Sequence, residues 1–154
     1  MLLQWNHHFE GANGTLRTSY RNYSDSFEVK AHTVGFDYAQ EFGQGWALTP
    51  GLRYHTQSSA FFYYDPVYDP VAGAPFPPGY FTSRPLYSSA DQRLSAFGGI
   101  TVGFKLAKTI GLWTTDFRYD YLQQRGDWRL GGQGSPGLQP FIANFVQLGL
   151  ARKF

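Results

Sequence analysis

The sequence contains no cysteine, only one methionine and few charged residues. Without cysteine, neither a disulfide framework nor a site built on thiolates can form. Charged side chains make up 16 % of the 154 residues, against about 25 % in ordinary soluble domains. The 13 Lys and Arg are balanced by 11 Asp and Glu and form no basic block, so nothing in the charge pattern indicates nucleic-acid binding.

Long hydrophobic runs are absent as well, and helical periodicity is scarce. No stretch reaches the roughly 18 consecutive apolar residues of a transmembrane helix. Aromatic residues, by contrast, reach 19 %, and there are 18 glycines. Disorder is excluded, because disordered chains are rich in charge and poor in aromatics. An aromatic-rich, glycine-rich chain whose mean hydropathy is still −0.37 is unusual for a soluble core and typical of a barrel in a membrane.

Alternation of apolar and polar residues with a period of two predicts seven β-strands. Most of the predicted strands have the length of about 9–11 tilted residues that crosses a bilayer, whereas soluble strands usually have about 5–6 residues. The fifth is the clearest, because its apolar residues share one face. The seven segments are residues 3–10, 15–22, 30–42, 46–57, 93–106, 112–121 and 141–154.

Charged residues of the predicted strands favour the less apolar face. Lys30 and Arg152 are the exceptions, and both are near a strand end. A soluble sandwich would show the same alternation, so this pattern does not separate the two classes. The charged residues on the less apolar face are Glu10, Arg17, Arg21, Asp37, Glu41, Arg53, Arg93, Lys105, Asp116, Arg118, Asp120 and Lys153.

The connections between the predicted strands alternate between tight and long. The tight ones contain glycine, at Gly11–Gly14, Gly43–Gly45 and Ala107–Gly111, and the long ones grow to about 35 residues. Outer-membrane barrels have short periplasmic turns and long external loops, whereas a soluble meander has no reason to place every long loop at one end. The sequence therefore predicts an all-β fold, an antiparallel up-and-down transmembrane β-barrel, present as a partial barrel or an open curved sheet.

The C-terminus ends in an aromatic residue after alternating hydrophobics. Val146, Leu148, Leu150 and Phe154 share one face of the last predicted strand, and this pattern resembles the signal by which bacterial barrels are recognised for assembly. The resemblance implies the barrel-assembly machinery as a partner and outer-membrane lipid as the surroundings. Arg152 stands where an aromatic residue would be expected, and its long side chain could reach the headgroups. The alternative is an ordinary closing strand of a soluble barrel.

Three segments resemble a known family. They are Ser19-Tyr-Arg-Asn-Tyr-Ser-Asp25, the segment 46–63 that begins Trp-Ala-Leu-Thr-Pro-Gly, and Ser88-Ser-Ala-Asp-Gln-Arg-Leu-Ser95. They are similar to the C-terminal part of the bacterial barrel family registered as domain-of-unknown-function family 3570. The resemblance implies an outer-membrane barrel and contains no catalytic motif. His55 stands where a second tyrosine is expected, and the segment after Gln57 lacks the usual aspartate, so no role follows for this stretch.

The same resemblance predicts that residues 1–154 form one domain, the C-terminal portion of a longer barrel. Family members are longer and start with an export signal, whereas residues 1–5 lead directly into a strand without a basic region or cleavage site. Seven is also an odd strand number for a bacterial single-chain barrel. The alternative is a complete small barrel with an unrecognised strand around residues 80–87.

Histidines are the candidates for catalysis or metal binding. His7 and His8 are adjacent on a strand, so they point to opposite faces and cannot chelate one ion together. His55 points inward near Ser58, Ser59 and Asp65, but no ordered spacing marks a nucleophile. The sequence predicts no enzymatic activity, no metal and no cofactor, with an outer-membrane hydrolase that uses His55 as an alternative.

Six inward-facing charged residues are the candidate functional residues: Asp37, Arg53, Lys105, Asp116, Arg118 and Asp120. The turn at Gly43–Gly45 places residue 37 about opposite 51 and residue 35 about opposite 53, which makes Asp37 and Arg53 diagonal neighbours. The other four form a mixed-sign cluster. These residues either line a pore and set its selectivity or form salt bridges that fill a closed lumen. The mixed signs argue against a strongly cation- or anion-selective channel.

The stretch from Phe61 to Tyr87 is rich in aromatics and contains six prolines. It is either an external ligand-binding loop or an outward extension of the fourth and fifth strands with rim aromatics and a segment that folds inward like a plug. Together these features predict an integral outer-membrane β-barrel of a Gram-negative bacterium with a passive, porin-like transport or structural role. The alternative is a soluble aromatic-rich β-sandwich or barrel that binds a ligand through its long loops. The two differ in which face carries the aromatics, outward in a membrane barrel and buried in a soluble protein.

Overall fold

The computed structural model describes residues 1–65 and 87–154, and its strands form one antiparallel sheet in which each strand pairs with its neighbour in sequence. Strands β1 and β7 are the two edges of this seven-stranded sheet, so the sheet is open. The prediction of an all-β, up-and-down, open curved sheet is confirmed for the strand order. The strands are β1 Leu2–Phe9, β2 Gly14–Ser24, β3 Lys30–Phe42, β4 Trp46–Gln57, β5 Phe97–Ile110, β6 Trp113–Arg125 and β7 Phe141–Arg152.

The fifth strand begins four residues later than predicted. The Asp91 side chain accepts a hydrogen bond from the Arg93 backbone N–H at 2.9 Å and starts a short 3-10 turn over Gln92–Leu94. Arg93 therefore lies before the strand, so its placement on an inward strand face was wrong. The strand continues to Ile110, which leaves only residues 111–112 as the turn before β6.

Two more charged residues that the sequence predicted to be in strands lie outside the strands. Glu10 begins a 3-10 turn over Glu10–Ala12, and Lys153 follows the end of β7. Conversely, Lys108 and Arg125 fall within the extended β5 and β6.

All three tight connections lie at one end of the sheet, which we call the tight-turn end. The turn between β3 and β4 has Gly45 at φ 78°, and the turn between β5 and β6 has Gly111 at φ 59°. Glycine adopts this left-handed conformation without a Cβ penalty. The long connections, residues 25–29, 58–96 and 126–140, occupy the opposite, long-loop end, so the predicted asymmetry of the connections is present.

The apolar face of the sheet, which we call the outer face, is exposed along its middle. Val102 and Leu148 there are 51 % and 79 % exposed, and the strands of residues 1–65 and 87–154 form no second sheet against them. Register places four outward positions of every strand in the central band, and none of them is Asp, Glu, Lys or Arg. The charged residues of the outer face are basic and lie within three residues of a strand end: Lys30, Lys108, Arg125 and Arg152.

Buried residues of the described chain gather at the long-loop end. Val29, Ala60 and Tyr63 form a small core against which Phe62 and Leu94 pack. This core joins the first two long connections to each other. The molecule is therefore fastened at one end by its loops, while the rest of the sheet has no packed layer beside it.

The third long connection lies against the outer face at the long-loop end. The Tyr54 hydroxyl donates to the Trp128 carbonyl, and the Leu130 backbone N–H donates to Thr56 Oγ1 at 3.0 Å. Gly98 is the outward residue of β5 beside this contact, and a Cβ there would overlap the Trp128 carbonyl. The loop 126–140 thus marks the upper limit of the exposed apolar band.

Most of the aromatic stretch 61–87 lies outside the described residues, and so does most of the alternative strand around residues 80–87. At its two ends, the Phe61, Phe62 and Tyr87 rings pack edge to face with centroids 5.1–6.1 Å apart. Phe27 adds a ring 5.3 Å from Phe62. The described part of the chain contains no helix long and apolar enough to span a membrane. That residues 1–154 belong to a longer barrel stays a prediction.

Candidate functional site: the polar inner face

The polar face of the sheet lies on the inside of a curl. Leu2 of β1, Arg21 of β2 and Gln124 of β6 line the same cavity of about 700 Å³, although five strand pairings separate β1 from β6. Side chains of distant strands can share one cavity only if the sheet curves around it. We call this polar surface the inner face.

The register aligns the inward charges in rows across the sheet. One row runs from Arg17 through Asp37, Gly51 and Gly103 to Asp120. The neighbouring row places Lys105 opposite Arg118. All six candidate residues predicted from the sequence lie on this face, on strands β3 to β6.

Each aspartate of the strands lies over a glycine of a neighbouring strand. Asp37 pairs with Gly51, Asp120 with Gly103 and Asp116 with Gly149. A Cβ on any of these glycines would overlap the carboxylate of its partner. The carboxylates therefore lie along the sheet surface rather than projecting inward.

These glycines were not recognised from the sequence as part of the site. They can be found only from the strand register, because an Asp is seen to lie opposite a Gly only after the strands have been aligned. A pair of this kind leaves the space above the sheet open for solvent.

Two ion pairs join the charges of the β5–β6 hairpin. Lys105 Nζ lies 3.4 Å from Asp116 Oδ1, and Arg118 donates to Asp120 through Nε at 2.6 Å and Nη2 at 3.3 Å. The Lys105 and Arg118 side chains are both nearly half exposed, so each pair contributes about 0–1 kcal/mol. Their principal effect is to fix where the charges lie.

Asp37 and Arg53 have the register predicted for them, but they form no ion pair. Gly35 pairs with Arg53 and Asp37 with Gly51, and both side chains border one cavity of about 310 Å³. Among the described residues, no opposite charge lies within 4 Å of either. The salt-bridge network thus covers the β5–β6 hairpin and leaves the β3–β4 hairpin unpaired.

Charge divides the inner face into two halves. In the tight-turn half, a cavity of about 430 Å³ is bordered by charges of both signs. In the long-loop half, the 700 Å³ cavity is bordered by Arg21, Arg53 and His55 and by no carboxylate of the described chain. The charged residues of the tight-turn cavity are Arg17, Asp37, Glu41, Lys105, Arg118 and Asp120.

His55 is held by two neutral neighbours. Its Nδ1 lies 2.8 Å from Thr33 Oγ1, and its Nε2 lies 3.3 Å from Gln57 Oε1. The Ser58 hydroxyl donates to the Glu28 carbonyl and accepts from the Lys30 backbone N–H. The hydrogen bonds described for His55 and Ser58 therefore do not join them into a nucleophile–base pair, and the prediction of no enzymatic activity stays a prediction.

Metal ligands are not grouped in the described chain. The His7 ring packs between the Trp5 and Phe9 rings on the outer face, whereas His8 Nδ1 forms a hydrogen bond with Thr15 Oγ1 on the inner face. Residues 1–65 and 87–154 contain no group of three His, Asp or Glu that could hold an ion.

The outer face carries a belt of aromatic and basic residues at the tight-turn end. Lys108 Nζ lies 4.8 Å from the ring centroid of Trp46, and the Arg152 guanidinium lies 5.4 Å from Trp113 and 5.7 Å from Phe154. Arg152, which stands where an aromatic residue was expected, is thus placed among aromatic rings. The C-terminal residues singled out from the sequence, Val146, Leu148, Leu150 and Phe154, are exposed on the strands' outer side.

The sequence profile of the family described as "Protein of unknown function (DUF3570)" matches residues 1–146 of the chain. No curated protein and no solved structure matches the chain.

Proposed function

The chain belongs to the DUF3570 family, and from its geometry we propose that it is an integral outer-membrane β-barrel protein with a passive, porin-like transport role. The exposed outer face, whose central band has no charged residue, carries this proposal. Soluble monomers rarely expose a contiguous apolar patch above about 300–600 Å². A band of four outward positions on each of seven strands, none of them charged, is a surface that lipid stabilises and water does not.

The height of this band supports a bilayer as its surroundings. Four alternate outward positions cover seven residues, about 24 Å along a strand at 3.4 Å per residue. A tilt of about 40° reduces this to about 18 Å of height, and the aromatic and basic belt at the tight-turn end extends it toward the apolar band of about 25 Å of known barrels. The basic residues that end the band have long side chains that reach water while their stems remain apolar.

The two ends of the sheet support one orientation. Short turns with an aromatic belt at Trp46, Trp113 and Phe154 are typical of the periplasmic side, and long interlocked loops are typical of the cell exterior. In this orientation the final strand presents Leu148 and Leu150 to lipid, and its terminal Phe154 is available to the barrel-assembly machinery.

Transport rather than a purely structural role is supported by the inner face. It carries charged and neutral hydrogen-bonding side chains among small and apolar ones, and it borders cavities of about 700 and 430 Å³. Three carboxylates lie flat over glycines instead of filling the lumen. A scaffold with a closed lumen would need side chains that meet across it.

The membrane proposal is tested by refolding the full chain into detergent and following its migration on an unheated gel. A folded barrel migrates differently before and after boiling. We expect Val102→Lys, on the outer face, to abolish the folded form, because a lysine at the bilayer midplane costs about 2–4 kcal/mol. Thr101→Lys, its neighbour on the inner face, should fold normally. A chain that folds in buffer without detergent would contradict the proposal.

The transport role is tested by conductance across a planar bilayer. Reconstituted protein should give discrete, ohmic current steps. Heat-modifiable protein that inserts and yields no conductance would contradict transport and leave a structural barrel.

A further inference from the structure

The long-loop half of the inner face is a cavity whose formal charges are all positive. Arg21 comes from β2 and Arg53 from β4, and both border the 700 Å³ space together with His55. None of the Asp and Glu residues of the described chain borders it. Arg53 also borders the separate cavity of about 310 Å³ together with Asp37 and Asp120. The four inward carboxylates of the strands all lie on the tight-turn side of Arg53: Asp37, Glu41, Asp116 and Asp120.

Both arginines are unpaired in the described part of the chain. No carboxylate oxygen of residues 1–65 and 87–154 lies within 4 Å of either guanidinium group, although Lys105, Arg118 and Arg93 each have such a partner. The Arg21 guanidinium lies 5.8 Å from the centroid of the Tyr23 ring. Arginine is a planar donor of several hydrogen bonds that matches carboxylate and phosphate oxygens.

The two arginines are placed to share one ligand. Arg21 lies in the row of Thr33 and His55, and Arg53 lies one inward position lower on the strand of His55. With strands about 4.8 Å apart, their Cα atoms are separated by roughly 12 Å along the sheet. The curl turns both side chains toward the same space, and Gly35, between Ser19 and Arg53, adds no side chain to block it.

Part of the cavity lining is apolar. Phe97 and Leu122 border it from β5 and β6, and Gly99 of β5 adds no side chain between Phe97 and Thr101. Thr101 and Gln124 add neutral hydrogen-bonding groups. A cavity of this volume fits a small organic molecule, with one anionic end and one apolar end.

We propose that this cavity is a binding site for a small organic anion, whose carboxylate or phosphate oxygens are bound by Arg21 and Arg53 and whose apolar part packs against Phe97 and Leu122. The inference deepens the proposed function and rests on it, because the inner face must be a solvent-filled lumen for the anion to enter. It makes the long-loop half of the lumen selective for anions, while the tight-turn half has mixed charge.

The test is isothermal titration calorimetry on the full chain refolded in detergent. The probes are phenyl phosphate and benzoate, with benzyl alcohol as the neutral analogue and empty micelles as the blank. Phenyl phosphate and benzoate carry the same apolar ring, so a comparison of their affinities separates a preference for phosphate from a preference for carboxylate. We expect at least one anion to bind and benzyl alcohol not to bind.

Arg53→Gln should lower the affinity for the anion by about tenfold to a hundredfold, because the substitution removes charge-assisted hydrogen bonds. The matched control is Arg17→Gln, an unpaired arginine of the same face in the tight-turn half, which should change the affinity by less than about twofold. Each variant is first checked for heat-modifiable migration, so that a loss of folding is not taken for a loss of binding.

Two results would overturn the inference. One is heat-modifiable protein that binds neither anion, which leaves the barrel intact and removes the site. The other is an equal loss of affinity in Arg53→Gln and Arg17→Gln, which would show diffuse attraction to a basic surface. If the chain instead folds without detergent, the proposed function fails by itself, and the same titration in buffer still tests the site.

Discussion

On the inner face, each strand aspartate is accommodated by the glycine opposite it. The clearest case is Asp120, whose carboxylate also binds Arg118 and lies where a Cβ of Gly103 would be. The Tyr119 carbonyl crowds the same position. Since a backbone carbonyl cannot swing aside as a side chain can, this glycine is required by its neighbours rather than by its own backbone angles.

A methyl group at Gly103 should therefore be costly. We expect Gly103→Ala to lower the free energy of unfolding by about 1–3 kcal/mol, the usual cost of overpacking. Gly99→Ala is the matched control, on the same strand and face, because a Cβ there meets only ordinary contacts of 3.6–4.0 Å. It should change stability by less than about 1 kcal/mol. Urea unfolding of both variants in detergent measures the difference, and equal stability of the two would contradict the role of Gly103.

Asp91 controls the start of β5 through its bonds to Arg93. The Arg93 side chain, followed by the Arg93 backbone N–H, lowers the pKa of the Asp91 carboxyl from 3.8 to about 2. Because the pKa is lower in the folded protein, the resulting stabilisation is complete above about pH 4 and is lost as the pH falls through about 2.

The Asp91→Asn variant should show this pH dependence directly. Its melting temperature should be lower than that of the native chain at pH 6, and the gap should close between pH 4 and pH 2. Asn can still cap the turn, so the change isolates the charge. Asp127→Asn, an equal change of charge in the loop 126–140, serves as the control. A gap of constant size down to pH 2 would rule out the ion pair as its source.

At the scale of elements, β5 shows where local chemistry overrides alternation. Residues 93–96 continue the apolar–polar pattern of the strand, and the pattern alone therefore extends the strand to Arg93. A side chain that bonds its neighbours' backbone competes with strand pairing, and the bond from Arg93 N–H to Asp91 does so here. Strand existence followed from periodicity, whereas this strand end depended on one aspartate.

The loop 126–140 is attached to the wall of the sheet by hydroxyl groups of β4. Thr56→Val keeps the side-chain shape but leaves the part-buried Leu130 N–H without its acceptor, and the loss of one hydrogen bond typically costs about 0.5–1.5 kcal/mol. We expect the loop to open more often and trypsin to cut faster after Arg129. Thr101→Val, on the inner face of β5, should leave the cleavage rate unchanged. Equal rates for both variants would show that the bond does not hold the loop.

At the scale of the whole molecule, the sequence was sufficient for the strand order and for the division of faces, because both follow from a period of two. It was also sufficient to place Asp37 and Arg53 on one face. It could not predict that these two remain apart, since Asp37 lies over Gly51, a pairing seen only in the register. The positive long-loop half was missed for a similar reason, because Arg21 and Arg53 lie on strands that share a cavity only after the sheet has curled.

The central claim is that the outer face lies against lipid and the inner face against water. The chain has no cysteine, so single cysteines at Val102 and Thr101 can each carry a fluorophore in an otherwise unlabelled protein. In vesicles of brominated lipid, the label at Val102 should be strongly quenched and the label at Thr101 should not. Equal quenching at the two positions, or a chain that does not associate with the vesicles, would contradict the claim.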